Sequence, residues 1–175
     1  MPSFRSSSPD DAAARKRKTY TPGEALPKIA AFCAYQERSH REVEDKLRSY
    51  GLDEDQAAEI MMRLVREKLL DDERFARSFV RGKYRLKKWG RRRIRMELKQ
   101  RSISEYCIKA GLSEIDGDEY YQNLKELLEK KNALEKESNP HKRRQKLTAY
   151  ATQKGYEGEF IQDALGELFG GSDDE

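Results

Sequence analysis

An all-α fold of three tandem three-helix units, set in an elongated, curved array, is what the sequence predicts. Three observations predict it. Only 36% of the 175 residues are hydrophobic while 39% are charged, which suits thin amphipathic helices better than one large core. Helix-start signals recur along the chain, and few segments combine β-branched residues with strict alternation, so no strand is expected. Finally, an apolar pattern repeats. Val43, Leu47, Leu52, Ala57, Met61 and Leu64 return 51 residues later as Ile94, Leu98, Ile103, Ile108, Leu112 and Ile115. They return again, 53 residues further on, as Leu147, Ala151, Tyr156, Ile161, Leu165 and Leu168. Turn positions repeat with them, since Gly51 maps to Ser102 and Gly155. Coincidence of apolar phase and turns is the mark of a structural repeat.

Residues 1–20 carry Ser, Ala, Asp and Arg without apolar periodicity and are expected to form a disordered tail. The first unit spans residues 21–70. Its second helix starts at Ser39, where Glu42 completes the spacing of a capping box, and Asp53 with Gln56 repeats that spacing. The second unit spans residues 71–115. Asp71 and Asp72 cap its first helix and favour the positive end of the dipole, and Gly90 breaks the pattern before Arg91. The third unit spans residues 116–169 and opens with a long helix from Asp118 to Glu137, carrying Tyr121, Leu124, Leu128 and Ala133 among alternating charges. Asn139-Pro140 then reads as an N-cap followed by proline at the first helical position. Gly51 and Gly155 can end helices in the left-handed conformation. Residues 170–175 form an acidic tail. The array needs no partner to bury its core, so a monomer is expected.

The net charge of +4 hides an asymmetry. Between Arg81 and Arg101 stand eleven basic residues and one acid, Glu97, so this stretch carries +10 and the remainder −6. Charge concentrated in this way marks a surface for a polyanion or an acidic protein. At 100° per residue, Phe75, Phe79 and Leu86 share a face, with Ala76 and Val80 beside it. Arg74, Arg77, Arg81, Arg85 and Lys88 fall on another face. Arg91, Arg95 and Lys99 make a second stripe on the next helix, with Arg92 adjoining. Rows of flexible cations can follow a phosphate backbone, with counterion release supplying much of the affinity. A solvated face is the plain alternative. Because few acids interleave locally, self-neutralising pairs are expected to be scarce and the binding face is preferred. Tyr84 and Trp89 are expected to pack between units rather than stack on bases. Tyr35, Tyr50, Phe32 and Phe160 are expected in the core.

Nothing in the sequence suggests catalysis. No glycine-rich loop precedes Lys-Ser or Lys-Thr, and His40 and His141 stand isolated, without metal-ligand spacing. No enzyme, metal or cofactor is therefore expected. No apolar run reaches 18 residues, so no membrane span is expected. Cys33 and Cys107 are lone thiols, which suits a reducing cytoplasm.

Residues 38–103 resemble the RecX family. The likeness is carried by Arg38-Ser39, Glu42-Val43, Lys46-Leu47, Leu70-Asp71-Asp72, Arg74-Phe75-Ala76 and Phe79-Val80. It continues through Gly90, Arg92-Arg93-Ile94, Glu97-Leu98 and Ile103. Ser102 stands where the family usually has glycine. The resemblance implies helix-turn-helix-like units and a cytoplasmic regulator that binds RecA recombinase filaments on single-stranded DNA. It also implies damping of ATP hydrolysis and strand exchange. In that reading Asp71, Asp72, Phe75, Ala76, Phe79, Gly90, Ile94 and Leu98 hold the basic face in position. A helical DNA-binding protein acting without RecA, and a protein–protein scaffold, are the alternatives.

Overall fold

A computed structural model describes residues 18–170, which form nine α-helices and no strand. They are α1 (Pro22–Tyr35), α2 (His40–Ser49), α3 (Glu54–Arg66), α4 (Asp72–Lys87), α5 (Arg91–Gln100), α6 (Glu105–Leu112), α7 (Gly117–Leu134), α8 (Pro140–Lys154) and α9 (Gly158–Gly170). Short-range chemistry sets most helix starts. Thr21 with Glu24, Ser39 with Glu42, and Asp53 with Gln56 close reciprocal capping boxes. Asp71, Ser104, Asp116 and Asn139 each accept a backbone N–H through the side chain.

The extensive helix packing falls within three triplets, α1–α3, α4–α6 and α7–α9. Four of the six repeated positions are buried in every triplet. Leu47, Leu98 and Ala151 are fully buried near the end of the second helix, and Ala57, Ile108 and Ile161 are buried in the third. The turn between these helices is also the same in all three units. Gly51, Ser102 and Gly155 take positive φ values of 83°, 59° and 96°. Leu52, Ile103 and Tyr156 then donate N–H bonds back to the carbonyls of Leu47, Leu98 and Ala151. This is a Schellman closure. Ser102 accepts the left-handed conformation at a modest cost because the flanking bonds fix it.

The three units are not joined alike. Units two and three share one hydrophobic core, in which Tyr84 stacks on Tyr120 and Tyr120 lies against Tyr156. At this junction Gly90 N–H bonds to the Lys154 carbonyl (2.8 Å) and Arg92 N–H to the Gly155 carbonyl (3.0 Å). The start of α5 thereby satisfies the orphan carbonyls at the end of α8. Unit one keeps a core of its own. Its contact with unit two is polar: Arg74 Nε donates to Glu37 (2.6 Å) and the His40 N–H to Asp72 (3.0 Å). Arg41 also donates to the Gln100 carbonyl (2.8 Å). An array of three equivalent units would repeat one junction, and this one does not. Each helix triplet closes on itself first, and only one junction is apolar.

Other expectations also change. Tyr20, placed in the tail by sequence, packs edge-on against Tyr50, and its N–H bonds to the Tyr50 carbonyl. Residues 1–17 of that tail and residues 171–175 lie outside the described residues. Tyr35 and Leu86, expected to be buried, are 84% and 81% exposed. Both sit in the last turn of their helix, where the helix runs past the layer it packs on. In α7, Tyr120 and Asn123 are buried and Ala133 is exposed, and the helix stops at Leu134, short of Glu137. No described helix is long and apolar enough to cross a membrane.

Candidate partner-binding face

The cationic face is built on α4 and α5. Phe75, Ala76 and Val80 are buried on the inner side of α4, with Phe79 half-buried against Phe75 at a ring separation of 5.8 Å. Ile94 and Leu98 are fully buried under α5. Five of the structural positions drawn from the sequence, Phe75, Ala76, Phe79, Ile94 and Leu98, thus anchor the two helices whose opposite sides carry the arginines. Of the others, Asp71 caps α4. Asp72 reaches across to His40, whose Nδ1 lies 2.9 Å from its Oδ2. Pairing with that carboxylate, the largest influence, raises the His40 pKa despite partial burial. His40 is therefore not isolated. Gly90 is where α5 meets the backbone of Gly155 and Tyr156 so closely that a side chain has no room.

The cations do not stand as one free stripe. Arg74 is tied to Glu37 and to the Lys68 carbonyl (3.0 Å). Arg77 sits between Glu73 (2.8 Å) and Glu114 (2.6 Å), and Arg81 reaches Glu114 at 3.3 Å. Hydrogen bonds to Glu73 and Glu114 push the Arg77 pKa up, and the Arg77 bond holds Glu114 below the usual carboxylate range. Arg95 pairs with Glu105, and Lys99 lies 3.7 Å from the same carboxylate. Lys88 leaves the stripe entirely. It ends α4 in the left-handed region, at φ 53°, and its Nζ donates to Asn123 (2.6 Å). Arg91 lies over the Tyr120 ring at 4.2 Å and its N–H bonds to the Tyr120 hydroxyl.

The expected scarcity of self-neutralising pairs is thus overturned. Glu37 lies between α1 and α2, Glu105 opens α6 and Glu114 follows it, so the basic run of residues 81–101 contains none of the three. Such exposed pairs contribute little individually, yet they lower the charge available to a partner. Among the described residues, Arg85 and Arg92 are exposed and make no ion pair. Tyr84 is buried and accepts from Asn123 (2.5 Å), and Trp89 packs beneath Arg93, whose guanidinium lies 4.0 Å from the ring. Both aromatics pack, as the sequence suggested. No cluster of three potential metal ligands occurs among the described residues. Sequence reasoning passed over Met96, a half-exposed side chain amid the arginines of α5. Its position opposite Ile94 and Leu98 was legible from helical periodicity.

Three three-helix units in tandem, one of them strongly basic, define a helical repeat protein with a cationic face. Family models for RecX match each unit in turn: the first three-helix domain at residues 29–64, the second at 71–112 and the third at 118–165. Regulatory protein RecX of Prosthecochloris aestuarii is 30% identical over 144 residues, covering 82% of this chain and 93% of that protein. The chain belongs to the RecX family. Regulatory protein RecX of Oceanobacillus iheyensis is 30% identical over 137 residues, and the chain spans 50% of its length. The chain spans 61% of the Clostridium tetani protein of the same name. The crystal structure of RecX from Lactobacillus salivarius shares the fold, with a TM-score of 0.76 at 24% identity over 84% of this chain and 96% of that one.

Proposed function

We propose that this protein regulates a RecA-type recombinase by binding its filament on single-stranded DNA and damping ATP hydrolysis and strand exchange. The observation that carries the reading is the run of three RecX units with the surplus of cations concentrated on the middle one. Membership of the family supports a regulatory role. Arg85 and Arg92, and the partly neutralised Arg74, Arg77, Arg81, Arg95 and Lys99, supply the face that meets DNA phosphate or acidic protein. Several modest contacts made along one filament add up to strong binding, because each later contact is intramolecular. In this reading the protein works by binding alone, as a monomer in the cytoplasm. The units proposed to act are residues 21–70, 71–115 and 116–169.

The test is RecA ATP hydrolysis on single-stranded DNA with the protein titrated in. Hydrolysis should fall as the protein is added, and the inhibition should weaken as salt rises. Unchanged hydrolysis at saturating protein, with no filament binding, refutes the reading. Equal affinity for bare DNA and for filament would move it to a plain DNA-binding protein.

A further inference from the structure

The outer side of α5 forms one wall of a shallow cleft of about 580 Å³ between units two and three. Arg92, Arg93 and Met96 line one side, and Thr152, Gln153 and Gly155, at the end of α8, line the other. A second hollow adjoins it beyond Met96, bounded by Arg95 and Lys99. Met96 is 50% exposed and stands between the two hollows. The walls are held together by Gly90 N–H and Arg92 N–H on the Lys154 and Gly155 carbonyls. Arg93 adds a side-chain bond to the Gln153 carbonyl (3.2 Å). The two walls are therefore fixed relative to each other, which lowers the ordering cost of binding. Its rim is cationic on balance. The α8 carbonyls that would attract cations are already engaged, and its one acid, Glu97, is paired with Arg101 at 2.8 Å.

We infer that this cleft docks an acidic segment of the protein partner, with an apolar side chain of that segment seated on Met96 and its carboxylates on Arg92 and the neighbouring cations. The inference rests on the regulatory reading above and adds to it the side of the protein that meets protein rather than DNA. A phosphate backbone is satisfied by cations alone and gains nothing from a thioether lying across its path. A peptide that alternates carboxylates with an apolar residue uses both features. Methionine suits this role because its unbranched, polarisable side chain adapts to the group laid against it.

The experiment compares Met96→Gln and Met96→Leu in the full chain, by fluorescence anisotropy, on two probes: RecA filaments assembled on labelled single-stranded DNA, and the same oligonucleotide alone. Both substitutions keep a helix-forming, unbranched or simply branched residue at an exposed site. Met96→Gln should weaken filament binding about tenfold, while Met96→Leu should bind within about twofold of the parent. Neither should alter affinity for the bare oligonucleotide. If Met96→Gln binds filament as the parent does, the docking site is refuted. If it weakens filament and oligonucleotide equally, the cleft is a nucleic-acid surface and the inference fails. If the parent chain binds no filament, the regulatory reading falls and the docking partner with it.

Discussion

Replacing Gly90 by alanine tests the junction that fuses units two and three. A Cβ there would lie 2.3 Å from both the carbonyl carbon and oxygen of Gly155, and 2.4 Å from the Tyr156 nitrogen. These are backbone atoms and cannot swing away. To reach an ordinary separation of about 3.4 Å the two segments must part by ~1.1 Å. The Gly90–Lys154 hydrogen bond, 2.8 Å in the native protein, would then stretch to ~3.9 Å, beyond bonding reach. The adjacent Arg92–Gly155 bond would be strained with it. Overpacking costs about 1–3 kcal/mol and each lost bond about 1 kcal/mol, so the expected destabilisation is about 3–5 kcal/mol. For a chain of this size that lowers the melting temperature by about 6–20 °C. Gly82→Ala is the control. Gly82 lies inside α4 with open space where its Cβ would be, and alanine there should stabilise the helix by about 0.5–1 kcal/mol. The assay is thermal unfolding followed by circular dichroism, with urea titration beside it. A Gly90→Ala protein that melts within 2 °C or so of the parent would refute the close-packed junction.

Three further outcomes are expected. Phe75→Ala should cost about 3–5 kcal/mol in urea unfolding, because Phe75 is buried against Phe79; parental stability would show that this face is not core. The His40–Asp72 contact should make the unit one–unit two junction sensitive to pH. The His40 pKa is raised by its pairing with Asp72, so its contribution is complete below the unfolded value of about 6.5 and is lost as pH rises through the higher folded value. Stability measured from pH 5.5 to 8.5 should therefore decline more steeply in the parent than in His40→Asn, and parallel curves would dismiss the effect. Charge reversal should separate fold from binding. Arg77→Glu with Arg81→Glu sets new carboxylates against Glu73 and Glu114 and should lower stability. Arg85→Glu with Arg92→Glu should leave the melting curve intact and weaken filament binding, while Lys130→Glu with Lys131→Glu, in a balanced charge pattern, should change neither the melting curve nor the binding. Equal loss of binding from both of these last pairs would mean net charge alone is responsible.

The fold was legible because its determinants are local and periodic. Capping residues act within three or four positions, and the apolar stripe of each helix follows from the 3.6-residue turn. Ser39, Asp53, Asp71 and Asn139 were placed as caps from neighbours alone, and the structure uses each as one. The repeat offsets pointed to Leu47, Leu98 and Ala151 as equivalent core positions, and all three are fully buried. Periodicity failed at helix ends, where Tyr35 and Leu86 extend past the surface they would otherwise bury. It failed again at Lys88, where the helix ends in a left-handed residue and redirects the side chain toward Asn123.

By itself, then, the sequence determined three helical units, their caps, their inner faces and the concentration of cations on the middle one, since each depends on residues within a few turns of each other. The tertiary structure alone decided which cations remain available and how the units join. Glu114 reaches Arg77 across 37 residues of chain, and Glu37 reaches Arg74 across another 37. Gly90 meets the end of α8 more than 60 residues away. Ion pairing and close backbone approach depend on distance in space, and only packing of the helices sets that distance.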